Sequence, residues 1–101
     1  MAQFDVHRNP RAGEFPLLLD VQADVVATLD TRIVVPLTKR KRTTKPITRI
    51  NPLATIDGVD DVLVFQELAA VPATALGPRI ASLAAQRDEL VAAIDWLFTG
   101  V

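Results

Sequence analysis

Hydrophobic and polar positions alternate through the first two-thirds of the chain and shift to a helical rhythm in the last quarter. Phe4 and Val6 flank polar neighbours, so residues 3–7 read as an opening strand. Pro10 and Gly13 mark a turn over residues 8–13. Phe15, Leu17, Leu19 and Val21 then fall on one face of a half-buried strand. Residues 23–32 form a small-residue and polar connection interrupted by Val25 and Val26. Arg32 to Leu37 is apolar on both faces, as a central strand requires, with Pro36 near its end. Residues 39–46 form a basic loop, and residues 47–56 read as two short strands broken at Asn51-Pro52. Asp57-Gly58 fits a tight hairpin turn leading into a strand over Val62 to Leu68. Residues 69–74, with Pro72, suit a short edge strand.

Gly77-Pro78 punctuates the chain, and Pro78 sits where a helix can begin. From there Ile80, Leu83, Leu90, Ile94 and Leu97 recur at helical spacing, widened by Ala84 and Val91. The expected helix spans about 79–98, following strands within about 3–74. Trp96 lies about 200° around the axis from Ile94, off that stripe, and Gly100 suits the position just beyond a helix end. The simplest architecture is a small, curved antiparallel sheet capped by a C-terminal helix, a single domain over residues 1–101.

The helix runs into an apolar tip, Asp95 to Val101, containing Trp96, Leu97, Phe98 and Val101. Chain ends usually carry polar residues, so this end is expected to be buried or bound. Asp95 adds negative charge at a helix C-terminus, where the macrodipole disfavours it. Two broken local rules at one place point to function. A terminal helix tucked into its own core is the competing reading.

Composition narrows the classes. Apolar residues make up 50% of the 101 positions, enough for a core. A domain of this size buries only about two-thirds of its unfolded surface, so self-association would help it. Eleven basic against twelve acidic residues leave a net charge of -1, with no global attraction to nucleic acid or anionic membrane. The chain has no cysteine, which excludes disulfides and suits a reducing compartment. The N-terminus lacks a signal-peptide layout, and no apolar run approaches the ~20 residues of a membrane helix. A cytoplasmic protein is expected.

Catalytic chemistry is sparse. His7 is the one histidine, beside Arg8 in a strand, and reads as a surface or interface residue rather than a base. Asp57, Asp60 and Asp61 crowd a turn but lack a calcium-loop spacing. Glycine-rich phosphate loops and nucleophile elbows are absent. The basic run Lys39, Arg40, Lys41, Arg42 and Lys45 reads either as a solvated loop or as a grip for an acidic peptide, without the aromatics that stack bases. No catalytic residue, metal or cofactor is assigned.

The order of several segments resembles the CcdB toxins of CcdA–CcdB toxin–antitoxin modules. Gln3-Phe4-x-Val6 is similar to the family's opening. Leu18-Leu19-Asp20-Val21-Gln22-Ala23-Asp24-Val25-Val26 resembles its Val-Asp-Val-Gln-Ser-Asp signature and the two hydrophobic residues that follow. Arg32-Ile33-Val34-Val35-Pro36-Leu37 is similar to its Arg-x-Val-Ile-Pro-Leu strand, and Ala70-Val71-Pro72 to its Ser-Val-Pro. Ala93-Ile94 and Gly100-Val101 resemble its closing segments. The resemblance implies an SH3-like barrel with a C-terminal helix, assembled as a homodimer. It implies a toxin that binds the DNA gyrase A subunit and traps the enzyme on cleaved DNA, and that needs no catalytic residue of its own. The implied gyrase-facing residues are Val25, Val26, Asp95, Phe98, Thr99, Gly100 and Val101. The alternative for Val25 and Val26 is ordinary core packing. A CcdA-like antitoxin is expected to wrap the dimer with a disordered C-terminal segment. Thr99 stands where the best-known family tail has Trp, and Asp95 replaces an Asn. A Trp there can stack on a gyrase arginine, and Thr cannot supply that cation–π contact. MazF-like endoribonuclease toxins share the fold. Their glycine-rich first loop with a following Arg-Pro is not found here, although Arg11 and Arg32 are present. A further alternative is an inactive relative that binds antitoxin alone.

Overall fold

The computed structural model describes residues 2–11, 13, 15–26, 28–41, 46–47 and 49–100. Among the described residues seven strands form one antiparallel sheet: β1 (Asp5–Arg8), β2 (Leu17–Asp20), β3 (Thr31–Lys39), β4 (Leu53–Ile56), β5 (Val59–Leu63), β6 (Ala69–Pro72) and β7 (Arg79–Ser82). Their order is β4-β5-β3-β2-β1-β7, with β6 also on β3. One α-helix, α1 (Arg87–Thr99), follows. The expected architecture, a curled half-barrel sheet with one C-terminal helix, is what the chain forms.

β3 organises the sheet. Its first half pairs with β6 and its second half with β5, while β2 runs along the opposite edge. Pro36 sits at the changeover between the two partners, where residues 65–67 form a 3-10 turn between β5 and β6. Its carbonyl accepts from Val64 N–H at 2.9 Å. The amide that proline lacks therefore falls at a gap in the ladder, and a central strand tolerates it.

The strand registers set Val6, Leu19 and Val35 opposite one another, and His7, Leu18 and Pro36 likewise. The first set joins Leu37, Leu63 and Phe65 in the core, which Leu90 and Ala93 of α1 complete. Phe4, 1% exposed, also enters this core, but at φ 68, where a residue with a side chain is strained. Its N–H donates to Asp20 O at 2.6 Å and its carbonyl accepts from Leu83 N–H at 2.8 Å, which holds the strained residue in place. The opening strand consequently starts at Asp5 rather than Gln3.

Further expectations are corrected, among them the strand read over Val62 to Leu68, which runs instead over Val59–Leu63 and gives way to the 3-10 turn. Residues 79–82 are not the first turn of the helix but the strand β7, paired with β1, and residues 84–86 are a 3-10 turn, so α1 begins at Arg87. The apolar spacing of Ile80 and Leu83 also fits a strand followed by a turn, and pairing with β1 decides between them. Likewise, among the described residues of the 47–56 stretch, only 53–56 form a strand, because Asn51 ties off the segment before it. Asn51 Oδ1 accepts from Ile47 N–H at 2.9 Å, and its Nδ2 donates to Leu63 O and Gln66 Oε1. The Asp57-Gly58 hairpin is present, with φ 51 and 77 at the two residues, the pattern of the turn that suits strand twist. Among the described residues no helix is long and apolar enough to cross a membrane.

Candidate target-binding surface

The last two turns of α1 carry Asp95, Phe98 and Thr99 at spacings of three and four, so all three share one helix face. Phe98 is 66% exposed although its neighbours Ile94 and Leu97 pack on the core. It borders a groove of about 420 Å³ whose other walls are Val21, Gln22, Ile33, Leu68, Ala69, Ala70 and Ile94. The groove thus runs between α1 and the β6 edge of the sheet.

Gly100 ends the helix at φ 73, donating its N–H to Trp96 O at 3.0 Å, as its sequence position predicts. A Cβ at Gly100 would meet nothing within 4 Å. The backbone here is therefore open to an approaching partner. Thr99 turns its hydroxyl back to donate to Asp95 O at 2.7 Å, so that group is already engaged within the helix. Val101 lies outside the described residues.

Val25 and Val26 lie on a 3-10 turn, Asp24–Val26, that follows β2. Val25 is 89% exposed and Val26 38%. Core packing, the competing reading, does not hold for Val25. Leu29, 53% exposed, extends this apolar surface, and its N–H donates to Val26 O. The link between the turn and the groove is Gln22. Its side chain lines the groove beside Phe98, and its Nε2 donates to Val26 O at 2.9 Å.

Buried charge underlies this surface. Arg32 and Asp20, with side chains 1% and 0% exposed, form an ion pair at 2.6 Å. From sequence, Asp20, Gln22 and Arg32 stand only in the family-like segments, with Arg32 also weighed for an endoribonuclease, and none is expected at this surface. The available signal was a charge of each sign within two strongly apolar strands, a pattern that requires pairing when buried.

The remaining candidates disperse. Lys39, Arg40 and Lys41 are exposed, while Arg42 and Lys45 lie outside the described residues. Asp57 occupies the hairpin turn, Asp60 accepts from Thr55 Oγ1 at 2.8 Å, and Asp61 is buried. Burial pushes the Asp61 carboxyl above its ordinary range; Lys39 opposes the shift and Asp60 adds to it. His7 is not a surface residue but 4% exposed, on a strand paired along both edges by β2 and β7. Its Nδ1 donates to Gly77 O at 3.0 Å, and Nε2 is buried without a partner among the described residues. Trp96 leaves the apolar stripe as expected and lies under the Arg49 guanidinium, 4.4 Å from the ring centroid. That ring face is occupied from within the chain, so Trp96 does not stand in for a tryptophan at position 99.

A family model described as CcdB protein matches residues 3–100. Among solved structures the chain is similar to the Mycobacterium tuberculosis toxin MazF-mt6, at 24% identity and a TM-score of 0.66, covering 93% of this chain and 95% of that one. It is also similar to a crystal structure of an Mtb toxin, at 23% identity and a TM-score of 0.65, covering 92% of this chain and 99% of the other. At these identities the two structures carry the fold and no chemistry.

Proposed function

The chain belongs to the CcdB family of toxin–antitoxin toxins, and from that premise we propose that it binds the DNA gyrase A subunit and traps the enzyme on cleaved DNA. The observation that carries this reading is the exposure of Val25 and Phe98, 89% and 66%, on a surface whose helix end is open backbone at Gly100. Large apolar side chains left in water at the end of a helix favour a partner, each contributing roughly 1.5–3 kcal/mol when fully covered. Asp95, Phe98, Thr99, Gly100 and Val101 from the tail, with Val25 and Val26 from the turn, make up the gyrase-facing set. Gyrase performs the bond cleavage in this scheme, and the toxin acts only by binding. A cytoplasmic homodimer is the working form, and a CcdA-like antitoxin with a disordered C-terminal segment neutralises it.

The test is trapping of gyrase-cleaved DNA, with wild type compared to Gly100→Arg. The open space at Gly100 lets the arginine project outward, and the positive φ costs the fold only about 1–2 kcal/mol. Wild type is expected to trap cleaved DNA at micromolar concentration, and Gly100→Arg to fold but not trap. Absence of trapping by wild type sinks the proposal; equal trapping by both removes Gly100 from the contact. An endoribonuclease reading has less support from the residues. Arg32 is sequestered by Asp20, which leaves Arg11, on the rim of a separate groove with Glu67 and Phe15. RNA cleavage lost on Arg11→Ala would establish that reading instead.

A further inference from the structure

The Asp24–Val26 turn buries none of its own residues, yet a chain of buried polar groups holds it from beneath. Asp20 Oδ2 accepts from Arg32 Nε at 2.9 Å and Nη2 at 2.6 Å, and its Oδ1 accepts from the Gln22 backbone N–H at 3.0 Å. Gln22 is itself 8% exposed and uses both ends of its amide. Its Oε1 accepts from Ile33 N–H at 3.1 Å on β3, while its Nε2 donates to Val26 O at 2.9 Å. A second brace ties the same turn to the N-terminal segment. Gln3 N–H donates to Asp24 Oδ1 at 2.7 Å, and Arg87, at the start of α1, donates to Gln3 Oε1 at 2.9 Å.

A buried ion pair is a poor device for stability alone, since apolar residues of similar volume generally serve as well or better. What hydrogen bonds add is direction. Val25, 89% exposed, has little packing to fix its orientation, and these bonds supply it. We propose that Asp20, Arg32 and Gln22 are positioning residues that set the pose of Val25 for target binding. This rests on the gyrase-binding reading, and it assigns the three residues no contact with the target.

Gln22→Met provides the test, because methionine fills nearly the same volume while losing both side-chain hydrogen bonds. Two readouts are needed. The first is amide hydrogen exchange at Val26 and Leu29, whose N–H groups donate within the turn to Ala23 O and Val26 O. Exchange at both is expected to accelerate by about tenfold or more while the α1 amides keep their protection. The second is affinity for the gyrase A subunit of wild type, Gln22→Met, Val25→Ala and the double variant, at a temperature where circular dichroism shows all four folded. Gln22→Met is expected to raise Kd about fivefold to tenfold, the worth of one hydrogen bond, but less than about twofold when Val25 is already alanine. Unchanged exchange at Val26 and Leu29 overturns the positioning role, as does an equal loss of affinity with and without Val25. A wild type that fails to bind gyrase A overturns the proposed function instead, and the exchange measurement then decides the positioning role by itself.

Discussion

Asp20 and Arg32 illustrate how much one buried pair constrains its surroundings. Truncating Asp20 leaves the Arg32 guanidinium 1% exposed with its carboxylate gone. Asp20→Ala is therefore expected to lose about 3–5 kcal/mol of unfolding free energy, read as a lower urea midpoint with an unchanged slope. Thr99 makes the opposite case, a residue that does little for the fold. It is exposed, and its one hydrogen bond is to its own helix. Thr99→Trp is expected to leave stability nearly unchanged and to strengthen gyrase trapping, by the roughly 0.5–2 kcal/mol of a cation–π contact. Dose–response curves for cleaved DNA with the two proteins measure this, and equal potency would remove position 99 from the gyrase contact. The exposure of Val25 was implied only by the family resemblance, not by the local pattern. Two consecutive valines between strands also fit core packing, and the 3-10 turn, tied to Gln22 just beyond β2, sends Val25 outward.

Among the elements, β2, β3 and β6 lie where the local pattern placed them, whereas the strand read over Val62 to Leu68 lies at Val59–Leu63 and β7 was missed. The hairpin at Asp57-Gly58 and the helix end at Gly100 are written in residues that favour positive φ. The strand β7 is written nowhere locally, since Ile80 and Leu83 satisfy a helical period just as well. β7 exists because β1 presents an edge to it, and Gly77 makes the approach to that edge possible. Gly77 N–H donates to Arg8 O at 2.9 Å, and a Cβ there would lie 2.6 Å from that same oxygen. Gly77→Ala is expected to push β7 off β1 and to cost about 1–3 kcal/mol, as overpacking does. Faster amide exchange confined to residues 79–82 and 5–8 would locate the damage. The proposed target surface has two parts. Its tail residues were drawn from the apolar tip and the family resemblance, whereas the groove depends on how β6 lies beside α1, which no local pattern encodes.

For the molecule as a whole, two buried carboxylates make opposite contributions to acid stability. Burial pulls the Asp5 carboxyl upward, but hydrogen bonds from Arg79 and Ala2 outweigh it and hold the group below its ordinary range. Its contribution is present above the ordinary carboxylate pKa and is lost as pH falls from there through the lowered value. Asp61 is raised by burial, so its charged form costs stability above that raised value, and the cost is relieved as pH falls towards the ordinary one. Asp5→Asn is expected to lower Tm at neutral pH, and Asp61→Asn to raise it. Both differences shrink on acidification, the second at higher pH than the first. Thermal melts across pH 3 to 7 distinguish these signs, and parallel curves for wild type and either variant would refute the assignment. The proposed homodimer is tested at this scale too: sedimentation at micromolar concentration is expected to show twice the 11.0 kDa chain mass.

The stack of Arg49 on Trp96 has a practical consequence. The chain has one tryptophan, and it sits where the segment leading into β4 closes on the flank of α1, off the face that carries Phe98. Its indole emission is thus an intrinsic optical probe of helix docking that leaves the target surface unlabelled. Arg49→Ala is expected to alter the emission spectrum of the folded protein while trapping of gyrase persists, so one fluorescence channel can follow folding separately from binding.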